Sequence, residues 1–365
     1  MNELINRPEY INRLIEYKDK DVIKIVTGIR RSGKSALLDL FEDYLLESGV
    51  PQKRIIHMNM ESLRFREHTD HISFYQYISS KIDASKRHYL IFDELQAVEN
   101  WEKAIESFRL DFDVDIYITG SNAYMLSSEF STLLSGRYVE IKMLPLSFKE
   151  FLTFNKFAPD EHIVDKFRKY LQFGGMPILS QFDFNEARSF EALEGIYNTV
   201  ILRDALFRNN TADQALLHKL VLFLCGNIGS LTSPNNIGNI LTNEGLIQNI
   251  KKKPGNSVAG RTVDKYIRML KSAYVFYSAD RYDVKGKQLL KTLEKNYIID
   301  LGFRNMLLGF RDADRGNMLE NIVYFELLRR GFRVYAGKVG EWEVDFVAEK
   351  PSRKLYVQVT ETMMD

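Results

Sequence analysis

Gly28-Ile29-Arg30-Arg31-Ser32-Gly33-Lys34-Ser35 is the stretch of this chain whose residue types and spacing are closest to chemistry. It has the G-x-x-x-x-G-K-[ST] pattern of a phosphate-binding loop. Gly28 and Gly33 let the backbone turn tightly and approach a ligand with no Cβ in the way. Loop amides and the positive end of the following helix then face phosphate oxygens. Gly28, Ile29, Arg30, Arg31, Ser32, Gly33, Lys34, Ser35 and Ala36 are therefore the candidate nucleotide-binding residues. Lys34 would reach the β- and γ-phosphates of ATP, and the Ser35 hydroxyl would bind Mg²⁺. By chance, the four fixed positions occur in about one chain in a hundred of this length.

A second group of polar residues stands at the ends of apolar runs. His88-Tyr89-Leu90-Ile91-Phe92 leads into Asp93-Glu94. Asp93 would hold Mg²⁺ opposite Ser35, and Glu94 would polarise the attacking water as general base. Asp115-Ile116-Tyr117-Ile118-Thr119-Gly120 leads into Ser121-Asn122. Either of these two could reach the γ-phosphate or the lytic water, with a helix N-cap as the other reading of Asn122. His57, inside the run Arg54–Met60, reads as structural. Arg137 precedes the run Tyr138–Leu144, from where it could reach a neighbouring subunit's nucleotide and neutralise transition-state charge. That role implies a homo-oligomer, and a surface or structural arginine is the alternative.

The elements that must position these residues follow from patterning. Val22–Thr27 is short and β-branched, a buried strand; Ala36–Leu46 has apolar residues at three- and four-residue steps, a helix. The other apolar runs read as central parallel strands, whose ends converge on one ligand crevice. Trp101–Leu110 reads as an amphipathic helix, and another is expected up to Leu134.

These motifs, with Gln96 close behind Glu94, and Leu134-Ser135-Gly136-Arg137 before Pro145-Leu146-Ser147-Phe148, resemble a family of prokaryotic AAA+-type ATPases. The resemblance covers residues up to about 155 and implies an α/β fold with a five-stranded parallel sheet and helices on both faces. It implies that Asp93-Glu94 is the Mg²⁺ and water-activating pair, that Ser121-Asn122 is the sensor, and that Arg137 occupies the arginine-finger position. In related ATPases a Gly-x-Pro contacts nucleotide at the start of a lid. Gly174-Gly175-Met176-Pro177 resembles that element, with Pro177 as a nucleotide-facing residue, and an interhelical turn is the other reading.

The expected organisation is an ATPase domain over 1–155 and a helical lid over 156–210. A winged helix would span 211–302 and a restriction-endonuclease-like α+β domain 303–365. Three helices followed by a strand pair make the winged-helix pattern. Lys251, Lys252, Lys253, Arg261, Lys265, Arg268 and Lys271 lie before and along its third helix, where they could meet DNA phosphates. A solvated face, or a module that docks a protein partner, accounts for them equally well. Glu320 on a helix and Asp345 on a strand resemble the acids of the nuclease fold. The third strand carries Gln358-Val359-Thr360 in place of Glu-x-Lys, so a working metal site is not expected there. The sequence stops at Asp365, where relatives of the resembled family continue, so this last domain is expected to be incomplete.

A net charge of +1 excludes a global field drawing the chain to nucleic acid or anionic lipid, so any such surface must be a local patch. One cysteine, Cys225, excludes an intrachain disulfide framework. No apolar run approaches the ~18 residues that span a bilayer. The expectation is a cytoplasmic, Mg²⁺-dependent ATPase, with a slow-turnover nucleotide-gated binding switch as the alternative.

Overall fold

The computed structural model describes residues 4–126, 136–200, 213–243, 258–284, 286 and 288–361. The chain divides into two compact units, Met1–Met143 and Leu144–Asp365. The expected helix up to Leu134 and the lysines 251–253 lie outside the described residues.

In the first unit five strands form one sheet in the order β2-β3-β4-β1-β5. They are β1 Ile23–Thr27, β2 Ile55–Asn59, β3 His88–Asp93, β4 Val114–Gly120 and β5 Tyr138–Lys142, and every neighbouring pair is parallel. Strand residues alternate between two faces, and each face is closed by different helices. Ile23, Ile25, Leu90, Phe92, Ile116 and Ile118 pack with Phe74, Ile78, Ile105 and Phe108 from helices His71–Ser79 and Trp101–Asp111. Val26, Ile91, Tyr117 and Ile141 pack with Leu14, Leu37, Phe41 and Leu45 from helices Pro8–Glu16 and Lys34–Glu47. This is the parallel α/β sheet that the strand patterning predicts. All five residues of β1 and all six of β3 are buried, as expected of central strands covered on both faces.

The second unit begins with helices and ends in a mixed six-stranded sheet, β11-β10-β9-β7-β8-β6. Its first two helices are Phe148–Phe154 and Ile163–Phe173. Asn155 is already extended, and Pro159 in the connection cannot continue a helix. Ser147 starts the first of them with a reciprocal capping box to Glu150. Helices Glu186–Asn198, Gln214–Gly226, Pro234–Asn243 and Val258–Ser272 follow. Strands β7 Phe276–Asp283 and β8 Gln288–Ile298 pair antiparallel, with the short β6 Leu231–Thr232 beside β8. Helices Leu301–Leu308 and Arg315–Arg329 lead to β9 Arg333–Val339, β10 Trp342–Lys350 and β11 Arg353–Val357. Parallel pairing of Arg281–Asp283 with Ala336–Lys338 joins the two hairpins into one sheet. The sequence pattern alone does not reveal that junction, because pairing between distant strands leaves no local signature.

Candidate nucleotide site

The loop Gly28–Ser35 leaves β1 at its C-terminal end and feeds directly into helix Lys34–Glu47. Gly28 has φ 147°, and a Cβ there would stand 2.2 Å from the Met143 carbonyl oxygen. Gly33 caps the helix in the left-handed region, at φ 101°. Only glycine takes both demands without strain, so the loop's shape is written into its two glycines. The Ser32 carbonyl accepts from the buried Arg7 guanidinium at 3.1 Å, which ties the loop to the start of the first helix.

Lys34 is 4% exposed. Its ammonium donates to the Gly28 and Ile29 carbonyls at 3.0 and 3.2 Å and lies 3.6 Å from a Glu94 carboxylate oxygen. Burial pushes its pKa below the ordinary lysine range, and the Glu94 and Asp93 carboxylates pull it back up. An incoming phosphate would act in the same direction as those acids. Ile29 is buried, and Arg30 pairs with Glu61 at 2.8 Å. Arg31 is exposed at φ 62°, Ser35 is exposed on the first helical turn, and Ala36 is half-buried behind it. The amides of that turn have no carbonyl one turn earlier in the helix to bond to, which equips them for anionic oxygens.

Asp93 ends β3 with 1% exposure. It accepts from Asn59 Nδ2 at 2.9 Å and from the Thr119 hydroxyl. Both donors are neutral, so the carboxylate is oriented without its charge being cancelled by them. Glu94 takes φ 52°, a left-handed conformation unusual for a residue with a Cβ. Its amide donates to Thr119 Oγ1 at 2.9 Å. Its carboxylate accepts from Ser121 Oγ at 2.9 Å and from Gln96 Nε2. Asn122, 7% exposed, opens the short turn Ala123–Leu126. Lys34, Asp93, Glu94 and Ser121 thus meet at the C-terminal edge of the sheet, where ligands of open α/β sheets bind.

Three partners in this network carry no assignment from the sequence: Asn59, Thr119 and the Gln96 side chain. Asn59 and Thr119 each stand at a strand end in the same row as Asp93, with Asn59 directly opposite it in register. The strand-end rule that singles out Asp93 and Ser121 therefore also points to them.

Arg137 does not join the constellation. Its carbonyl accepts from Ile23 N at 2.9 Å, at the start of β1, whereas the loop follows the end of that strand. The side chain is exposed. His57 pairs with Glu42 at 2.5 Å, in keeping with a structural role.

Pro177 belongs to the second unit and opens the turn Pro177–Gln181. The glycines before it are needed by the protein itself. A Cβ on Gly175 would meet the Leu146 carbonyl oxygen at 2.4 Å, and one on Gly174 would meet Asp300 Oδ1 at 2.0 Å. Asp300 accepts from the amides of Gly175 and Gly302 at 2.6 and 2.9 Å.

The nuclease-like acids are already occupied. Lys295 Nζ lies 2.9 Å from Glu320 and 3.5 Å from Asp345, and it is itself 5% exposed. Tyr297 donates to Glu320 at 2.7 Å, and Gln358 Nε2 and the Val359 amide donate to Asp345 at 2.7 and 2.8 Å. The Lys295 ammonium supplies the counter-charge that both carboxylates need. Among the described residues no group of three or more His, Cys, Asp or Glu could hold a metal ion. Lys295→Met should cost ~2 kcal/mol of stability, because two mostly buried acids lose their shared counter-charge. The loss should be larger at pH 8 than at pH 5, where Glu320, whose carboxyl burial pushes upward, can take a proton instead. Urea denaturation of the variant at both pH values checks this.

The sheet order, the glycine-shaped loop and the buried Lys34–Glu94–Asp93 group define an AAA-domain P-loop nucleoside triphosphatase. The chain matches the family model of an AAA domain over residues 20–152 and that of a domain of unknown function (DUF8612) over residues 164–314. It belongs to the same family as an uncharacterized protein of Haemophilus influenzae, to which it is 42% identical over 98% of this chain and 86% of the relative. An uncharacterized protein of Methanocaldococcus jannaschii is 27% identical over 97% of this chain and 78% of its own length. Among solved structures, a Walker-type ATPase of Pyrococcus abyssi matches with a TM-score of 0.54 and 16% identity, covering 83% of this chain and 95% of its own. At that identity the likeness speaks for the fold alone. Among the described residues no helix is long and apolar enough to cross a membrane.

Proposed function

We propose that this protein is a Mg²⁺-dependent ATPase whose turnover drives conformational change in the modules of its second unit. The observation that carries the reading is Glu94, a carboxylate held between Lys34 and Ser121 at the strand edge beside the phosphate loop. Residues Gly28–Ala36 would bind the triphosphate through their amides and Lys34. Ser35 and Asp93 would hold Mg²⁺, which fits their all-oxygen donor chemistry and would neutralise charge on the β- and γ-phosphates. In the hydrolytic step the water oxygen bonds to the γ-phosphorus as the bond to the β–γ bridging oxygen breaks. ADP leaves with that electron pair, and Glu94 takes the water proton. Ser121, with Asn122 beside it, senses the γ-phosphate by exchanging its bond to Glu94 for one to a phosphate oxygen. Arg137, at the opposite edge of the sheet, acts on a neighbouring copy's nucleotide in a homo-oligomer. Pro177 is a lid element facing nucleotide.

In the second unit, helices Gln214–Gly226, Pro234–Asn243 and Val258–Ser272 with β6, β7 and β8 follow the element order of a winged helix. Helix Arg315–Arg329 with β9–β11 has the outline of an inactive restriction-endonuclease-like module. DNA is one candidate partner for the basic segment 251–271. A protein partner is favoured by a specific observation. Arg268 is neutralised by Asp264 at 2.7 Å and Lys271 by Glu294 at 2.8 Å, while Arg261 and Lys265 are exposed on the same helix. On that second reading the chain is a slow nucleotide-gated switch that docks a protein through this face.

One measurement tests these readings: phosphate release against protein concentration, with and without duplex DNA. Specific activity is expected to rise steeply with concentration if Arg137 serves a neighbouring copy. A DNA stimulation that fades as salt is raised supports the basic helix, and none supports protein docking. Protein that takes up neither magnesium nor nucleotide at millimolar concentrations overturns the whole reading.

A further inference from the structure

Gln96 lies in the turn Leu95–Ala97, two residues beyond Glu94. The left-handed backbone at Glu94 folds the chain back so that both side chains meet at the strand edge. A non-glycine residue holds that conformation only under strain, and such strain collects at functional sites. Leu95, fully buried, pins the turn beneath them.

The amide of Gln96 is used on one side only. Its Nε2 donates to the Glu94 carboxylate and to Ser121 Oγ at 3.3 Å. Its Oε1 is buried and accepts from no described residue. The orientation is not arbitrary, because turning the amide over would set Oε1 against the Glu94 carboxylate and leave both oxygens repelling. The oxygen instead lies above Gly120, where a Cβ would approach it to 3.1 Å. A buried acceptor left without a donor is destabilising. Here it stands beside the carboxylate assigned as the base.

We infer that Gln96 is a second ligand of the attacking water, accepting one of its protons at Oε1 while Glu94 accepts the other. The inference rests on the hydrolytic reading of the site and names a residue which that reading leaves without a role. A water has two protons and two lone pairs. With both protons committed to Glu94 and Gln96, a lone pair is turned outward, and the water is fixed in orientation as well as in place. Nε2 meanwhile keeps Glu94 and Ser121 in register. When Glu94 takes its proton during the attack, the second proton stays on the new P–O oxygen and the Gln96 bond persists. Gln96 therefore holds the nucleophile without itself exchanging a proton.

The test uses the full-length protein and compares wild type, Gln96→Ala and Gln96→Glu. Two quantities are read: single-turnover hydrolysis of Mg·ATP and affinity for a fluorescent ATP analogue. Gln96→Ala should slow hydrolysis roughly tenfold to a hundredfold, as expected for one or two lost transition-state hydrogen bonds. Nucleotide affinity should change less than about twofold, since Gln96 touches the water and not the triphosphate. Gln96→Glu keeps an acceptor oxygen for the water and should retain more of the hydrolysis rate than Gln96→Ala. Gln96→Ala hydrolysing within twofold of wild type overturns the inference, and so does a slowing that comes with an equal loss of nucleotide affinity. Wild type that binds nucleotide but releases no phosphate is a different failure: it removes the hydrolytic reading, and this inference with it.

Discussion

Glu94→Gln is expected to bind Mg·ATP as wild type does and to release phosphate at least 100-fold more slowly. Loss of a positioned general base typically costs 10²–10⁴ in rate, about 3–5 kcal/mol of barrier. The substitution keeps the side chain's volume, and the contact that fixes the backbone here is main-chain: the residue 94 amide to Thr119 Oγ1. The fold and the loop should therefore survive. What changes is chemical. A carboxylate that accepts from Ser121 and Gln96 becomes an amide, and one of its ends now presents N–H groups to those donors. Lys34 also loses the acid 3.6 Å from its ammonium. A phosphate can supply that charge when nucleotide binds, so affinity should hold steady or rise slightly. Phosphate release and equilibrium binding measured on the same preparation separate the two effects. Residual release above about a tenth of the wild-type rate would assign the base elsewhere.

The first unit was largely legible because its signals are local. The strands are mostly apolar runs, Asp93, Glu94 and Ser121 stand at their ends, and the phosphate loop depends on glycines whose spacing is visible in one dimension. Asn59 shows how far the same logic extends. It ends β2 opposite Asp93 and bonds to it, yet a lone Asn at the end of a strand has no motif to announce it. Gln96 was visible only as a neighbour of Glu94. Its contribution depends on the left-handed turn between them, and backbone φ cannot be read from side-chain type at a glutamate.

The second unit was less legible for a related reason. Helices Gln214–Gly226, Pro234–Asn243 and Val258–Ser272 and the strand pair β7–β8 come in the expected order, but the contacts that matter join residues far apart in the chain. Lys295 on β8 lies between Glu320 and Asp345, which sequence comparison with a nuclease pattern singles out as acids without revealing the cation they share. Gly174-Gly175 resembles a ligand-facing turn by composition. In the folded chain the close approaches those glycines permit are to Leu146 and Asp300. A glycine pair announces that something comes near the backbone, not what it is.

The largest stability effect is expected where sequence patterning was silent altogether. Lys24 sits in the middle of β1 with no exposure, and Asp115 on β4 is 1% exposed. Their side chains form an ion pair. Asp115 also accepts from the Tyr117 hydroxyl and the Asp19 amide, each at 2.8 Å, and the Lys24 ammonium lies 5.0 Å from the Tyr117 ring centroid. Burial pushes the Lys24 pKa below the usual lysine range, while Asp115 opposes that shift. Asp115→Ala removes the counter-charge, three hydrogen bonds and the acid that keeps the ammonium charged. Among the described residues the Lys20 carbonyl, at 3.1 Å, remains as a hydrogen-bond acceptor for the Lys24 ammonium. Stranding one member of a buried pair costs about 3–5 kcal/mol, a large part of an ordinary domain's stability. Replacing both residues, Asp115→Ala with Lys24→Met, should recover part of that loss, because no charge is then left buried. Trp101, 4% exposed and in this unit, reports its unfolding by fluorescence, while Trp342, the other tryptophan, is 80% exposed and should respond little. If the denaturant midpoint of Asp115→Ala corresponds to a loss under about 1 kcal/mol, or the double variant is less stable than the single one, the pair is not what holds this end of the sheet together.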